Sequence, residues 1–592
     1  MLNYSVKMSY KIKWIECAVK GGNFVMKRAV ALALSFMLLV CLCSCEGGPS
    51  IADSSASEPA SSGKASNADT TSLNSGSGTN PDSDNNTAEA AKLFEGFNQS
   101  ACVYAVDVTD CSSGTLTMLR SLQGLVAANE EASIYLIGSE SDTFWKSYLR
   151  DEMGVYFKTL TPKQLINKFS DTIKTVVEYT SGTYEFEVAW NTAIKSEGAI
   201  IADENTIKKY SLESVTGEIY DVRGKYTDKE SAYNDMFTDY TTGGIKADYV
   251  SFCGEESPFN DYAYAVGAVK MNFADNADWE SQMFSAMIDS TERASIGAAL
   301  FDGEPDCAED ADFGVAQFSK AGFGCINVSN FSNATLYSSI GSGYKTTAKH
   351  IKYAKSGSSG NVYLSIVIDT DSIGSSIQND YVLWTAKHNR YNVSLCLSPL
   401  MYKLAPSVLL WYSVNTRGDN QLISSGDWLK IDDQVMPDDL YVQWRNENNY
   451  LVENSGLYII RSTDSRSGVD MKYCYGRFTN ADGVFVNSDS IGNGIPSHNA
   501  NVALVPIFNA LTVEEFINSI ADISANDVYS QYYAVSIPAA TIISEANNSD
   551  AKEIKEANRF DEIEENLVAQ ISENLGDSLK IVNPNAFFSS IK

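Results

Sequence analysis

Short apolar runs recur along this chain and alternate with stretches whose apolar positions return every three to four residues. The runs read as buried strands and the periodic stretches as helices packed against them. Leu119, Leu122, Leu125 and Val126 share one helical face and lead into a strand over 133–138. Residues 164–180 read as a helix and 198–202 as a strand, and the polar, Tyr/Asp/Thr-rich passage 220–246 as a boundary or an extended surface connection. Eight further strands are expected over 264–271, 295–300, 324–328, 362–368, 393–397, 456–460, 502–507 and 532–535. Thr512 and Glu515 have the spacing of a capping box, with Leu511 and Phe516 placed as a hydrophobic staple. Ile563, Leu567 and Ile571 share a helical face that Gly576 would end. No repeat of solenoid period interrupts the alternation. The fold class is therefore α/β: an N-terminal α/β domain over 91–245, then a larger (β/α) barrel-like domain over 246–592.

The first ninety residues follow neither pattern. Lys27 and Arg28 precede an apolar core over 29–40, and Leu42-Cys43-Ser44-Cys45 closes it with a cysteine after a small residue. That is the layout of an export signal, too short for an ordinary spanning helix. It resembles a bacterial lipoprotein signal, which implies acylation of Cys45, an extracytoplasmic protein and attachment to the bacterial cell membrane through that lipid; Met26 is an alternative start. An uncleaved anchor helix is the competing interpretation of 1–45. Residues 46–90 are rich in Ser, Asn, Asp and Gly and nearly free of large apolar side chains, the composition of a disordered tether. About forty such residues reach roughly 35 Å.

Composition narrows the function classes. Of 592 residues, 44% are apolar and 20% charged, as in ordinary globular proteins. The net charge of −31 argues against nucleic acid as a partner. Beyond Cys45 there are Cys102, Cys111, Cys253, Cys307, Cys325, Cys396 and Cys474, an odd set with no C-x-x-C pair, so neither a zinc framework nor a dense disulfide scaffold is indicated. Cys102 and Cys111 could pair across a short loop. With His350, His388 and His498 as the only histidines, a His-based metal site or catalytic triad has few candidates.

The chemistry concentrates in 362–430. A seven-residue apolar run from Val362 to Ile368 ends in Asp369-Thr370-Asp371-Ser372, and the carboxyl ends of parallel strands are where ligands gather in α/β folds. In strand conformation Asp369 and Asp371 would point to one face with Cα atoms roughly 6.6 Å apart. Two carboxyl groups at such separations can divide the roles of acid and of nucleophile or base in glycoside hydrolysis. The plain alternative is a turn in which Asp and Ser cap the next helix. An Asp-x-Asp pair can also hold Mg²⁺ or Ca²⁺, but no third ligand is identifiable, and neither a metal nor another cofactor is expected. Glu304, Asp306, Glu309, Asp419 and Asp427 could reach the same cleft, although Glu304 and its neighbours also read as a solvated acidic loop. Trp411 lies in an apolar run and reads as core, whereas Trp428, among Ser, Gly and Asp, is the better carbohydrate platform.

The order of these features resembles the GxGYxYP glycoside hydrolase-like family over residues 115–592. Ser121-Leu-Gln-Gly-Leu-Val126, Ile134-Tyr-Leu136 and Trp145 resemble its opening, and Asn260-Asp-Tyr262 its junction into the second domain. Phe323-Gly324, Asn327 and Ser332-Asn-Ala-Thr-Leu336 follow its next segment, 362–372 its strand ending in Asp-Gly-Asp-Asn, and 395–399 with Ala405-Pro-Ser407 its Ser-Pro segment. Two departures matter: Asp369-Thr-Asp371-Ser372 keeps both carboxylates but lacks the glycine and the amide, and only Gly426-Asp427-Trp428-Leu429-Lys430 survives of the name-giving motif. The resemblance implies a carbohydrate substrate or ligand, with Asp369 and Asp371 as catalytic carboxylates and Glu304, Asp419, Gly426, Asp427 and Trp428 as substrate contacts. A non-catalytic carbohydrate-binding lipoprotein on the same fold is the second expectation. A transporter's solute-binding lipoprotein is the third, disfavoured by the unequal halves.

Overall fold

A computed structural model describes residues 93–592 apart from 130–131, 274–276, 306–312, 342–361, 371, 389–391, 417–421, 427, 463–479, 489–496, 500–501, 526–531, 549–568, 570–578 and 592. The signal region, the tether and most of the helix expected around Leu567 lie outside the described residues.

Three small parallel sheets precede the barrel. The first has the order β2 (Ser133–Ile137), β1 (Val103–Asp107), β3 (Phe157–Thr159), and the second β5 (Ala199–Asp203), β4 (Thr175–Tyr179), β6 (Glu218–Asp221). The third joins β7 (Tyr249–Ser251), β8 (Val269–Lys270), β9 (Gly297–Phe301) and β10 (Phe323–Asn327) in the order β10-β9-β7-β8. The helix Ser113–Ala128 carries the expected apolar face: Leu119, Leu122 and Val126 are fully buried. Gly124 lets it meet the helix Asn260–Ala265 closely, since a Cβ there would stand 2.6 Å from the Asp261 carbonyl oxygen.

Seven strands close into a parallel barrel: β11 (Val362–Asp369), β12 (Ser394–Leu397), β13 (Ile423–Ser425), β14 (Ile459–Arg461), β15 (Gly483–Ser488), β17 (Val502–Asn509) and β18 (Tyr532–Pro538). β16 (Ser497–Asn499) pairs antiparallel with β17, and β19 (Leu579–Ile581) pairs parallel with the start of β11.

Several sequence expectations change. Residues 164–180 divide: Thr161 and Gln164 form a capping box on a helix that spans only Pro162–Lys168, and the β-branched run that follows becomes β4. Within 220–246 lies the helix Lys229–Gly243, started by Asp228 and stopped where Gly244 takes φ 70°. In 264–271 a helix turn ends at Ala265, leaving the two-residue β8. Of the eight expected barrel strands, 264–271, 295–300 and 324–328 belong to the third sheet, while β13 and β15 supply barrel positions that were not foreseen. Glu515 N donates to Thr512 Oγ1 at 3.0 Å as expected of the cap; Leu511, however, is 71% exposed, so no staple forms with buried Phe516. Cys102 and Cys111 are both free thiols.

The segment Ser332–Leu336 docks the later sheets onto the first one. Asn333 adopts φ 57°, and its amide pairs with the backbone of Leu136 as a neighbouring strand would: Oδ1 accepts from Leu136 N at 2.7 Å and Nδ2 donates to Leu136 O at 2.9 Å. Gln123 Nε2 also donates to Asn333 Oδ1, at 3.1 Å. Two residues on, Thr335 N and Oγ1 donate to Asp261 Oδ2 at 2.9 and 2.8 Å. Asp261 is fully buried, and burial pushes its carboxyl up to about 6 despite those bonds.

Asn333→Ala should destabilise the protein by about 2–4 kcal/mol, because it orphans buried groups on Leu136 and Gln123; urea denaturation measures it. Asn333→Gly, which keeps the left-handed backbone without strain, should recover only about 1 kcal/mol of that loss. For Asp261 the folded-state value lies above the ordinary 3.8, so the folded protein binds more protons than the unfolded chain between about pH 4 and 6. Stability should accordingly fall as pH rises through that window, by at most about 3 kcal/mol. Asp261→Asn should remove this component of the stability–pH curve, and an unchanged slope between pH 4 and 6 would refute the assignment.

Candidate functional site

The strand β11 is buried along its last six residues and ends on Asp369, opposite Cys396 of β12 and Pro538 of β18. The chain then turns: Thr370 Oγ1 donates to the Cys396 carbonyl at 2.7 Å, and Ser372 caps the helix Ile373–Gln378 by accepting from Ser375 N at 3.1 Å. The capping role foreseen for this turn thus falls to the serine. Gly374 is required there, because a Cβ would lie 2.0 Å from the Ser329 carbonyl oxygen. The helix is held from its far end by the first sheet's side of the molecule, where Trp145 Nε1 donates to Ile377 O at 2.8 Å.

At the carboxyl ends of β11, β12 and β13 a narrow cleft of ≈ 50 Å³ opens, lined by Asp369, Glu304, Asn327, Ser398, Trp428 and Lys430 among others. Asp369 and Glu304, two residues of the expected set, are therefore brought together from segments 65 positions apart in the chain. Asp369 is mostly buried and ion-paired with Arg461 at the end of β14. The Arg461 guanidinium also donates from Nη2 to Asn509 Oδ1 at 2.8 Å. Asn509 is bonded in turn to Asn487 of β15 and Ser536 of β18. A polar ring of strand-end side chains thus crosses the barrel mouth and fixes the carboxylate of Asp369 on its Arg461 side.

Glu304 sits differently. It follows β9, is about half exposed, accepts from Asn327 Nδ2 at 3.0 Å and pairs with Lys430. Lys430 is placed by an antiparallel bridge to β10, with Lys430 N donating to Cys325 O at 2.7 Å and Cys325 N to Lys430 O at 2.8 Å. One carboxylate is therefore rigid and dry, the other solvated and adjustable.

Trp428 lines the cleft but is not the exposed stacking platform expected from its polar neighbours. Its ring is 3% exposed, edge-on to Phe94 with centroids 6.4 Å apart, and its indole Nε1 is buried with no hydrogen-bond partner among the described residues. Gly426 ties the same loop to the barrel, its N–H donating to Arg461 O at 2.7 Å. Trp411 is core, packed 5.2 Å from Trp145. Asp371, Asp419, Asp427, Asp306, Glu309 and Cys45 lie outside the described residues. Among the described residues no three His, Cys, Asp or Glu side chains converge as a metal site.

Arg461, Asn487, Asn509 and Ser536 were not foreseen. Their common signal is a polar residue at or near the end of an apolar run, as in Ile459-Ile460-Arg461 and the run from Val502 to Asn509. The same signal singled out Asp369.

Comparison with known proteins agrees with this architecture. Residues 102–171 match the model of the first GxGYxYP N-terminal domain. The fold is shared with the crystal structure of a hydrolase-like protein of Bacteroides thetaiotaomicron VPI-5482, with a TM-score of 0.68 at 18% identity over 85% of this chain and 98% of that one. A comparison with curated proteins finds no match. The resemblance to the GxGYxYP family and the α/β fold class with a barrel in the larger C-terminal part both stand.

Removing one partner of the buried pair should be worse than removing both. Arg461→Met leaves the Asp369 carboxylate in a dry mouth without its counter-charge and should cost about 3–5 kcal/mol, whereas Asp369→Leu with Arg461→Met should return most of it. A double-mutant cycle in urea measures the coupling; additive single effects would show that the pair carries none.

Proposed function

We propose that the cleft at the mouth of the barrel acts on a polysaccharide or oligosaccharide as a glycoside hydrolase, in a protein held outside the cytoplasm by a lipid on Cys45. One observation carries this: two carboxylates from separate segments, in opposite environments, share a cleft at the carboxyl ends of parallel barrel strands. Glycoside hydrolysis divides its labour between such groups, one ionised and one able to hold and donate a proton.

Asp369, ion-paired with Arg461, is the ionised member and acts as nucleophile or as base toward water. Asp371, two residues further along the chain, is the first candidate for the proton donor. Glu304, about half exposed, is the second candidate for that role, since its pairing with Lys430 is a solvent-screened contact that an entering sugar can displace.

A non-catalytic carbohydrate-binding lipoprotein is favoured by one fact: both carboxylates seen in the cleft already have cationic partners. Turnover separates the two. Against a panel of polysaccharides, Asp369→Asn should lower kcat by about 10²–10⁴-fold with little change in KM. Of Asp371→Asn and Glu304→Gln, the one that removes the acid should lose less on substrates with good leaving groups. Glycan-array binding by the wild-type chain that persists in Asp369→Asn, with no turnover by either, would replace the hydrolase with the binding protein.

A further inference from the structure

A second cavity lies far from these carboxylates in the chain, at the carboxyl ends of β1 and β2 in the first sheet. It has a volume of ≈ 280 Å³, is open to solvent, and has Leu116, Leu136 and Pro258 among its apolar lining. The outer ends of parallel strands are where open α/β sheets bind ligands. One cation lines it, Arg120 on the helix Ser113–Ala128.

Arg120 is built to hold something. Its Nη1 donates to the Glu256 carbonyl at 2.7 Å, which anchors one end of the guanidinium and, among the described residues, is its one hydrogen bond. A guanidinium has five N–H donors, so the rest of the fork remains available to the cavity. Burial pushes this group down from its ordinary value, against the pull of Asp261, Asp302 and Glu256. The cavity's carboxylate, Asp142, is in contrast saturated. It accepts from Gly138 N and Ser139 Oγ at 3.0 and 2.9 Å on one oxygen, and from Ser332 Oγ and Gln378 Nε2 at 3.2 and 3.0 Å on the other. It is structural and offers a ligand nothing but negative charge.

We propose that this cavity is a second ligand site, distinct from the barrel cleft, that binds a single carboxylate on a polar, ring-sized molecule through the open fork of Arg120. A planar carboxylate matches the fork in two parallel hydrogen bonds. A single negative charge is the most the wall tolerates, since one cation faces Asp142 with three further carboxylates close behind. The volume suits a molecule of monosaccharide size, the apolar lining takes one face of a ring, and Thr109 offers a hydroxyl at the rim. A uronic acid has this chemistry. The site does not depend on the barrel cleft being catalytic.

D-glucuronate and D-glucose, alike except for the carboxylate, are the probes, titrated calorimetrically into the full chain. Glucuronate should bind saturably and glucose at least tenfold more weakly, the lower range of a charge-assisted contact. Arg120→Gln should reduce glucuronate to the level of glucose, and Arg120→Lys, which keeps the charge but lacks the fork, should fall between them. Asp369→Asn should leave glucuronate binding unchanged, so that failure of the cleft assignment reads separately. A further measurement needs no variant. Cys111, a half-buried free thiol in the cavity wall, should be protected from alkylation by glucuronate and not by glucose, as followed by mass spectrometry. Equal affinity for the two sugars, unaltered binding in Arg120→Gln or unprotected Cys111 would each overturn the proposal.

Discussion

The closure of the barrel on β11 is the constraint from which the site follows. This strand alone is paired with β12, β18 and β19, so its register is set from both sides and at both ends. A one-residue slip would exchange every inward side chain for an outward one. It would also carry Asp369 away from Arg461, which stands on β14, across the barrel mouth. The turn after β11 inherits the same precision, since Thr370 bonds the carbonyl of Cys396 and Ser372 starts a helix packed against Ser329 through Gly374.

A closed parallel barrel has no edge to hydrate, and polar side chains at its mouth must find partners in one another. The ring Asp369–Arg461–Asn509–Asn487 does so, with Ser536 joining at Asn509. The third sheet solves a comparable problem with Lys270, whose fully buried amine donates to Asn260 Oδ1 at 2.7 Å and Cys253 O at 3.0 Å and lies 4.0 Å above the Trp190 ring. Burial pushes that amine down to about 8. The two clusters differ in what they adjoin. Lys270 is enclosed by its partners, whereas Asp369 borders an open cleft, and only the second arrangement exposes a held charge to a ligand.

Legibility followed local hydrophobic contrast. β11, β12, β17 and β18 were readable because each is a run of apolar or β-branched residues with a polar stop. β13 and β15 were missed because three residues of Ile423–Ser425 carry too little pattern, and Gly483 opens the other on a residue that strands disfavour. Periodicity also cannot tell which sheet a strand joins, and so β8, β9 and β10 were assigned to the barrel. Asp369 was legible as a strand-end carboxylate; its partner was not, since nothing local links Arg461 to a residue 92 positions away. Trp428 misled for a related reason. Its sequence neighbours are polar, but its spatial neighbour Phe94 lies more than three hundred positions earlier in the chain.

The motif residues that carried the family resemblance divide along the same line. Asn333, Thr335 and Asp261 make no contact with the cleft; they join the sheets by imitating backbone, a role in which an amide or carboxylate cannot be exchanged for an apolar group without orphaning its partners. Trp145 and Gln378 extend that joint to the helix that begins at Ser372, the residue bordering the cleft. The joint therefore sets the far end of the turn whose near end β11 fixes. Asn333, Asp261 and Trp145 thus serve the joint behind the turn that follows Asp369, whereas the loop around Trp428, where the resemblance is weakest, lines the cleft itself. Divergence in that loop alters the lining of the cleft before it alters the turn that holds Asp369.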